Sequence, residues 1–411
     1  MPTASRAAAH SLREFAEDPR VARALEWLEK NTEWVTEQQV RITEIPAPPF
    51  EERQRSAFVR KLLESHGLKV RTDEIGNVIG ERPGAQGREV VLLTAHLDTV
   101  FPPGTEVRVR REGRRLIGPG ISDNGTGLAT LVAIARALDE ARVKTKVTIV
   151  FAANVGEEGE GNLRGMRKLV EAYRGRIRGV LVVDGSSVEH ITTQALASRR
   201  FEVVVTGPGG HSWSDYGLPN PIHAVARGVA RFARVRVPEQ PRTSVNVGTI
   251  EGGTSVNSIP YRAAIKVDIR SEAGAEIERL ENALREAMQA GVDEEMSAAA
   301  DVRRRREGGK LELQVRLIGE RPGSPPLPEE DSQLLDAVRS ADRALGNRSR
   351  LERSSTDANI PLSFGIPAIA LGGGGRGGSA HSLNEWYDPT DRALGLKRVL
   401  LTLLNFAGVE P

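Results

Sequence analysis

The chain reads as an α/β protein with a mixed sheet flanked by helices, interrupted by an inserted α+β domain. Three observations predict this. Runs 89–95, 146–153 and 179–184 are almost wholly apolar, as strands buried on both faces should be, and helical patterns separate them. The block 198–321 reads β-α-β-β-α-β, the order of a ferredoxin-like unit. The length of 411 residues suits about two domains.

Taken in order, residues 20–42 and 52–65 read as amphipathic helices. In the second, Phe58, Val59, Leu62 and Leu63 share a face, and Gly67 stops it. Strand-like runs at 68–72, 77–80 and 89–95 follow, then a Gly-rich turn and a helix over 126–140. Strand 146–153, helix 163–173 and strand 179–184 continue the alternation. Strand 200–206 leads through Gly207-Pro208-Gly209-Gly210 to helix 220–234, strands 243–250 and 262–269, helix 273–290 and strand 311–318. The Pro/Gly-rich segment starting at Arg321 is the return linker. Helix 331–345, strand 366–371 and helix 391–407 resume the first pattern. The expected domains are therefore 1–197 with 322–411, and an inserted 198–321.

Composition excludes several classes. Lys+Arg 57 against Asp+Glu 55 leaves a net charge of +2, which suggests neither nucleic acid nor an anionic membrane as partner. The run Arg303–Arg306 stands alone and reads as a solvated loop. Cysteine is absent, which excludes disulfides, thiolate catalysis, iron–sulfur clusters and Cys-ligated zinc. The segment Met1–Arg20 lacks the apolar core of a signal peptide, and apolar stretches such as Val147–Val155 fall far short of the ~20 residues that span a bilayer. A soluble, cytoplasmic protein is expected.

Any metal site must then use His and carboxylates, and only seven His are present. Strand 89–95 runs into His96-Leu97-Asp98, and the turn before helix 126–140 carries Asp123. Strand 146–153 runs into Glu157-Glu158, strand 179–184 ends in Asp184, and a Gly-rich loop and His381 follow strand 366–371. Ligands of open α/β sheets bind outside such strand ends. His96, His381, Asp123, Glu158 and Asp184 offer the nitrogen and oxygen donors that zinc accepts. Five ligands are too many for one catalytic zinc and suit two ions about 3.5–4 Å apart, with one carboxylate bridging. No His-Glu-x-x-His, Gly-x-Ser-x-Gly or phosphate loop is present. Gly372-x-Gly374-x-x-Gly377 matches a dinucleotide fingerprint only formally, since it opens no helix.

At these residues the sequence resembles the dinuclear zinc exopeptidases and amidohydrolases, the family of carboxypeptidase G, peptidase T, aminoacylase, acetylornithine deacetylase and succinyl-diaminopimelate desuccinylase. The motifs that carry the resemblance are Ala95-His96-Leu97-Asp98-Thr99-Val100, Gly120-Ile121-Ser122-Asp123-Asn124-Gly125, Gly156-Glu157-Glu158-Gly159, Val183-Asp184-Gly185, Gly209-Gly210-His211-Ser212, Gly252-Gly253-Thr254-Ser255-Val256-Asn257 and Ala380-His381-Ser382. They span nearly the whole chain in order.

The resemblance implies a zinc-exopeptidase-like fold whose inserted domain serves as lid and dimerisation domain. It implies two Zn2+, with Co2+ or Mn2+ as substitutes. His96 and Asp184 would bind one ion, Glu158 and His381 the other, and Asp123 both. Asp98 would hold the His96 ring, and Glu157 would be the general base. His211 would stabilise the oxyanion, in such enzymes often from a partner subunit. Asn257 and Arg270 would contact a substrate carboxylate, joined by backbone amides of the run holding Gly373 and Gly374. The remaining histidines read as structural: His10 in the N-terminal segment, His66 at a helix end, His190 in a polar connection and His223 beside an apolar helix face. The implied reaction is amide hydrolysis on a small peptide by an exopeptidase, in a homodimer. The alternatives are a deacylase of N-acyl amino acids and a catalytically silent binding protein on the same fold.

Overall fold

The computed structural model describes residues 18–302, 309–330 and 332–411, with the side chains of 300–302 left aside. The start of the N-terminal segment, with His10, and the run Arg303–Arg306 lie outside the described residues. The chain divides into two compact units, Met1–Ala195 with Ser324–Pro411, and Leu196–Gly323.

The first unit begins with α1 (Pro19–Lys30), α2 (Thr32–Thr43) and α3 (Arg53–Glu64). The single helix expected over 20–42 is two, because Asn31 ends α1. Its backbone leaves helical geometry, and its side-chain Nδ2 donates to the Trp27 carbonyl at 2.7 Å. Then come β1 (Lys69–Thr72), β2 (Val78–Arg82), β3 (Val90–His96), β4 (Arg110–Glu112), β5 (Arg115–Ile117), α4 (Gly125–Glu140), β6 (Thr148–Asn154), α5 (Arg164–Ala172), β7 (Ile177–Val183) and β8 (His190–Ala195). The second unit holds β9 (Ala197–Thr206), β10 (Gly210–His211), α6 (Pro221–Phe232), β11 (Thr243–Gly252), β12 (Ser258–Ile259), β13 (Arg262–Ser271), α7 (Gly274–Val302) and β14 (Glu312–Arg321). Back in the first unit are α8 (Gln333–Leu345), β15 (Arg350–Ser354), α9 (Asn359–Ser363), β16 (Ala368–Leu371), β17 (Arg376–Gly378), β18 (Trp386–Asp388) and α10 (Arg392–Ala407).

Eight strands form one mixed sheet in the order β1-β2-β6-β3-β7-β16-β8-β15. β3 lies parallel between β6 and β7, β16 runs parallel to β7, and β2 pairs antiparallel with β6. Every residue of β3 is buried, which explains its unbroken apolar run. Val91, Leu93 and Ala95 face one core with Leu128 and Val132 of α4 and Leu400 and Leu404 of α10. Val90 and Leu92 face the other with Met166 and Leu169 of α5 and Ile360 of α9. Each such side chain removed from water contributes about 1.5–3 kcal/mol, so the central strands form a rigid platform.

Two strands at one side of the sheet, β8 and the edge strand β15, correct the sequence reading. His190, expected in a connection, opens β8, and its Nδ1 lies 2.6 Å from Glu352 Oε1 on β15. A second small sheet, β17-β18-β5-β4, joins the segment after His381 to the hairpin before Asp123. On the helical layer, Arg398 of α10 and Asp342 of α8 form a buried two-pronged pair, Nε to Oδ1 at 2.6 Å and Nη2 to Oδ2 at 3.1 Å.

In the second unit, four antiparallel strands take the order β11-β13-β9-β14, which is ferredoxin-like. Phe201, Val203, Val205, Ile265 and Val267 pack on Val225 of α6 and on Leu280, Leu284 and Met288 of α7. The two helices meet at Gly228 and Gly291, where a Cβ would lie 2.6 Å from Met288 Sδ and 2.5 Å from the Ala224 carbonyl. Helix α7 runs well beyond the expected 273–290. Among the described residues, no helix is long and apolar enough to cross a membrane.

Candidate metal centre

The sheet delivers its polar residues at the C-terminal ends of parallel strands. His96 is the last residue of β3, Asp184 follows β7, and Glu157-Glu158 follow β6. Asp123 stands in the turn before α4, and His381 lies between β17 and β18. The fold brings them together. Ligand atoms of His96, Asp123 and Asp184 lie within 4.8 Å of one another, as do those of Asp123, Glu158 and His381, and those of His96, Glu157 and Glu158. Asp123 divides its carboxylate between two groups. Its Oδ1 lies 3.1 Å from His96 Nε2, and its Oδ2 lies 3.3 Å from His381 Nε2. His96 Nε2 is also 3.8 Å from Asp184 Oδ1, and His381 Nε2 is 3.1 Å from Glu158 Oε1.

The electrostatics are those of a cation site. Hydrogen bonds to Asp123 and Glu158 draw the His381 imidazole up to about 10. Burial opposes charge on His96, but Asp123, Asp184 and Asp98 outweigh it and raise its pKa well above the ordinary value. Burial likewise opposes charge on Asp123, yet the two imidazoles hold its carboxyl far below the usual range. In the same region Asp357, fully buried, accepts from Asn154 Nδ2 at 2.7 Å and is pushed up to about 7 by burial.

Asp98 faces the His96 ring as expected and does a second job besides. The group within hydrogen-bond distance of His96 Nδ1 is the Asp98 main-chain carbonyl, at 3.1 Å, whereas its nearer carboxylate oxygen stands at 3.6 Å. That carboxylate accepts the amides of Glu157 at 2.9 Å and Glu158 at 2.8 Å. The ring thus faces both the carbonyl and the carboxylate of Asp98, and the carboxylate also fixes the Glu157-Glu158 turn. Gly156 opens this turn at φ +64, with Arg164 packed so closely that a Cβ would lie 1.8 Å from its Nη1. Arg164 is tied to buried Glu52 at 2.6 Å. Fully buried Arg55 donates to the carbonyls of Ile45, Leu97 and Thr43 and anchors the segment between His96 and Asp98.

Sequence reasoning assigned Asn124 nothing, yet it is a fastener. Its Nδ2 donates to the Val183 carbonyl at 2.9 Å, and its Oδ1 accepts from Gly127 N at 2.9 Å and Gly185 N at 3.2 Å. It therefore caps α4 and ties the Asp123 turn to the strand bearing Asp184. Its place immediately before a helical run was the available signal.

The remaining predicted residues divide. Gly373 and Gly374 are corrected: they are buried, and their amides already donate to the carbonyls of Gly185 and Ser186, at 2.9 Å and 3.1 Å. Those amides are not open to a substrate carboxylate. Within the second unit, His211 and Asn257 come together, because β10 pairs with β12 and Ser212 N donates to the Asn257 carbonyl at 3.0 Å. His211 Nδ1 accepts the amides of Trp213 at 3.1 Å and Ser214 at 3.3 Å, which places the ring proton on Nε2 and makes that atom a donor. Arg270 sits near the other end of β13, its Nε 2.6 Å from Asp268 Oδ2.

A mixed α/β sheet with imidazoles and carboxylates gathered at its strand ends defines a metal-dependent hydrolase. The family model for peptidase family M20/M25/M40 matches residues 92–405, and the chain belongs to that family. It is 24% identical over 374 residues to an uncharacterized protein, YqjE, of Bacillus subtilis, covering 86% of this chain and 93% of that one. It is 29% identical over 264 residues to acetylornithine deacetylase of Myxococcus xanthus, covering 60% and 66%. The crystal structure of aminopeptidase PepT from Bacillus cereus matches the fold with TM-score 0.68 at 21% identity, over 92% of this chain and 99% of that one.

Proposed function

We propose that this chain is a dinuclear zinc exopeptidase that hydrolyses an amide bond in a small peptide. The carrying observation is the division of Asp123 between two ligand groups, His96 with Asp184 and Glu158 with His381. The donor set fits the metal, because four carboxylates and two imidazoles in so small a space match the charge of two divalent cations. Bound zinc supplies Lewis acidity, acidifying water and polarising the scissile carbonyl. Glu157 takes the proton of the attacking water and returns it to the leaving nitrogen. Asp98 keeps Glu157 in place through its amide. His211 Nε2 donates to the oxyanion, and Asn257 and Arg270 hold the substrate's carboxylate.

The second unit acts as lid and dimerisation domain in this reading. β13 carries Arg262 at the end near His211 and Arg270 at the other, about 27 Å apart at strand rise. That separation supports a homodimer in which one copy supplies His211 and the other Arg270 to the same substrate. A cytoplasmic location is part of the same proposal. A deacylase of N-acyl amino acids is the second reading, favoured by the match to acetylornithine deacetylase. A screen of dipeptides, tripeptides and N-acetyl amino acids separates the two.

After zinc reconstitution, elemental analysis is expected to find about two ions per chain. Finding none would overturn the mechanism. Mixing Glu157→Ala with His211→Ala subunits is expected to restore activity that neither has alone. A confirmed mixed dimer without recovery would show that His211 serves its own chain or none.

A further inference from the structure

Glu385 is fully buried, and the mechanism above does not use it. It lies in the loop between His381 and β18. Its Oε2 accepts the Gly120 amide at 2.9 Å, and its Oε1 accepts the amides of Ser122 and Asp123, both at 2.7 Å. Its main-chain carbonyl accepts the Gly118 amide at 2.9 Å, and its own amide donates to the Ser382 carbonyl at 3.1 Å. One residue thus grips the turn that carries Asp123 and the turn that carries His381. The strap is anchored beyond Glu385 as well: buried Tyr387 donates to the Gly374 carbonyl at 3.0 Å, and its ring lies 4.6 Å from the Arg392 guanidinium.

The two ends of this clamp carry side chains that face each other, His381 Nε2 and Asp123 Oδ2, 3.3 Å apart. The other side of Asp123 has independent support. His96 closes a fully buried strand, and Asn124 ties the same turn to Val183 and Gly185. Loss of the Glu385 clamp therefore falls unequally on the two ligand groups.

We propose that Glu385 is a positioning residue that sets His381 against Asp123 and so fixes the cation site of Asp123, Glu158 and His381. The proposal rests on the dinuclear reading of the site. A glutamine here keeps the shape but turns an NH2 group toward amides that need an acceptor.

The test is a zinc titration of the full chain, followed by calorimetry or a competing chelating dye, with Glu385→Gln and Glu385→Ala. The expected result for Glu385→Gln is a first ion bound within about twofold of wild type and a second weakened about 10–100-fold. Excess zinc should then return most of the lost turnover, and the metal-free melting temperature should fall by no more than a few degrees, the cost of about one unsatisfied buried amide. Glu385→Ala should weaken the second ion at least as much. Two ions bound at wild-type affinity in both variants would overturn the proposal. Equal weakening of both ions together with a metal-free melting temperature lowered by more than that would also overturn it, by showing a general structural role. A wild-type chain that binds no zinc overturns the dinuclear reading, and this proposal with it.

Discussion

Replacing Glu157 with alanine is expected to lower turnover by about 10²–10⁴-fold, the range of a lost general base, while zinc content and melting temperature stay near wild type. The structure sets this residue beside two candidate ligands, His96 and Glu158. Its amide is fixed by Asp98 Oδ1 at 2.9 Å, its side chain is buried, and its carboxylate lies within 4.8 Å of ligand atoms of His96 and Glu158. A proton acceptor at that spot can reach water held between the ligand groups. Glu158, by contrast, faces His381 at 3.1 Å and is the metal-binding neighbour in this reading. Glu158→Ala should lose metal first and activity as a result. Steady-state kinetics with parallel metal analysis decide the matter: Glu157→Ala with unchanged turnover assigns the proton transfer to another group.

Asp342→Ala is expected to destabilise the fold by about 3–5 kcal/mol, because it strands a fully buried guanidinium. Arg398 has no exposed side-chain surface, and Asp342 binds it with both oxygens. Asp342 also accepts from Asn347 Nδ2 at 2.8 Å and Ser349 Oγ at 2.5 Å, so four donors lose their acceptor together. At about 1–2 °C per kcal/mol for a chain of this length, the melting temperature should fall by roughly 3–10 °C. Removing both charges, as Asp342→Leu with Arg398→Met, should cost much less than Asp342→Ala alone, since no charge is then left without a partner. Thermal denaturation of the metal-free proteins measures both. A loss below about 1 kcal/mol for Asp342→Ala would show that water reaches Arg398.

The candidate metal ligands were readable because their chemistry and their position coincide. An apolar run that must be a buried strand, followed at once by His96 or Asp184, places a polar side chain at a sheet edge with no knowledge of the rest of the fold. What sequence could not carry is the work of residues whose partners are distant. Glu385 looks like any loop acid, and only the return of 381–388 onto the turn at 118–123 shows what it holds. The second task of Asp98 has the same origin, since no spacing shows that its carboxylate also accepts the amides of Glu157 and Glu158. Gly373 and Gly374 misled because glycine signals close approach without saying of what. Here the approach is to Gly185 and Ser186. Strands β8 and β15 escaped because both segments are largely polar: β15 is a half-exposed edge, and β8, though mostly buried, fills its buried positions with Thr192 and Thr193 as well as Ile191 and Ala195.

Under the proposed dimer, the distance between His211 on β10 and Arg270 at the far end of β13 has a consequence for anyone who assays this protein. If both residues serve each substrate molecule, a lone chain contains two half-sites and no whole one. Specific activity then obeys mass action: it falls on dilution below the dissociation constant of the pair and recovers on concentration. Inactivity in a very dilute assay would report subunit separation while each subunit stays folded.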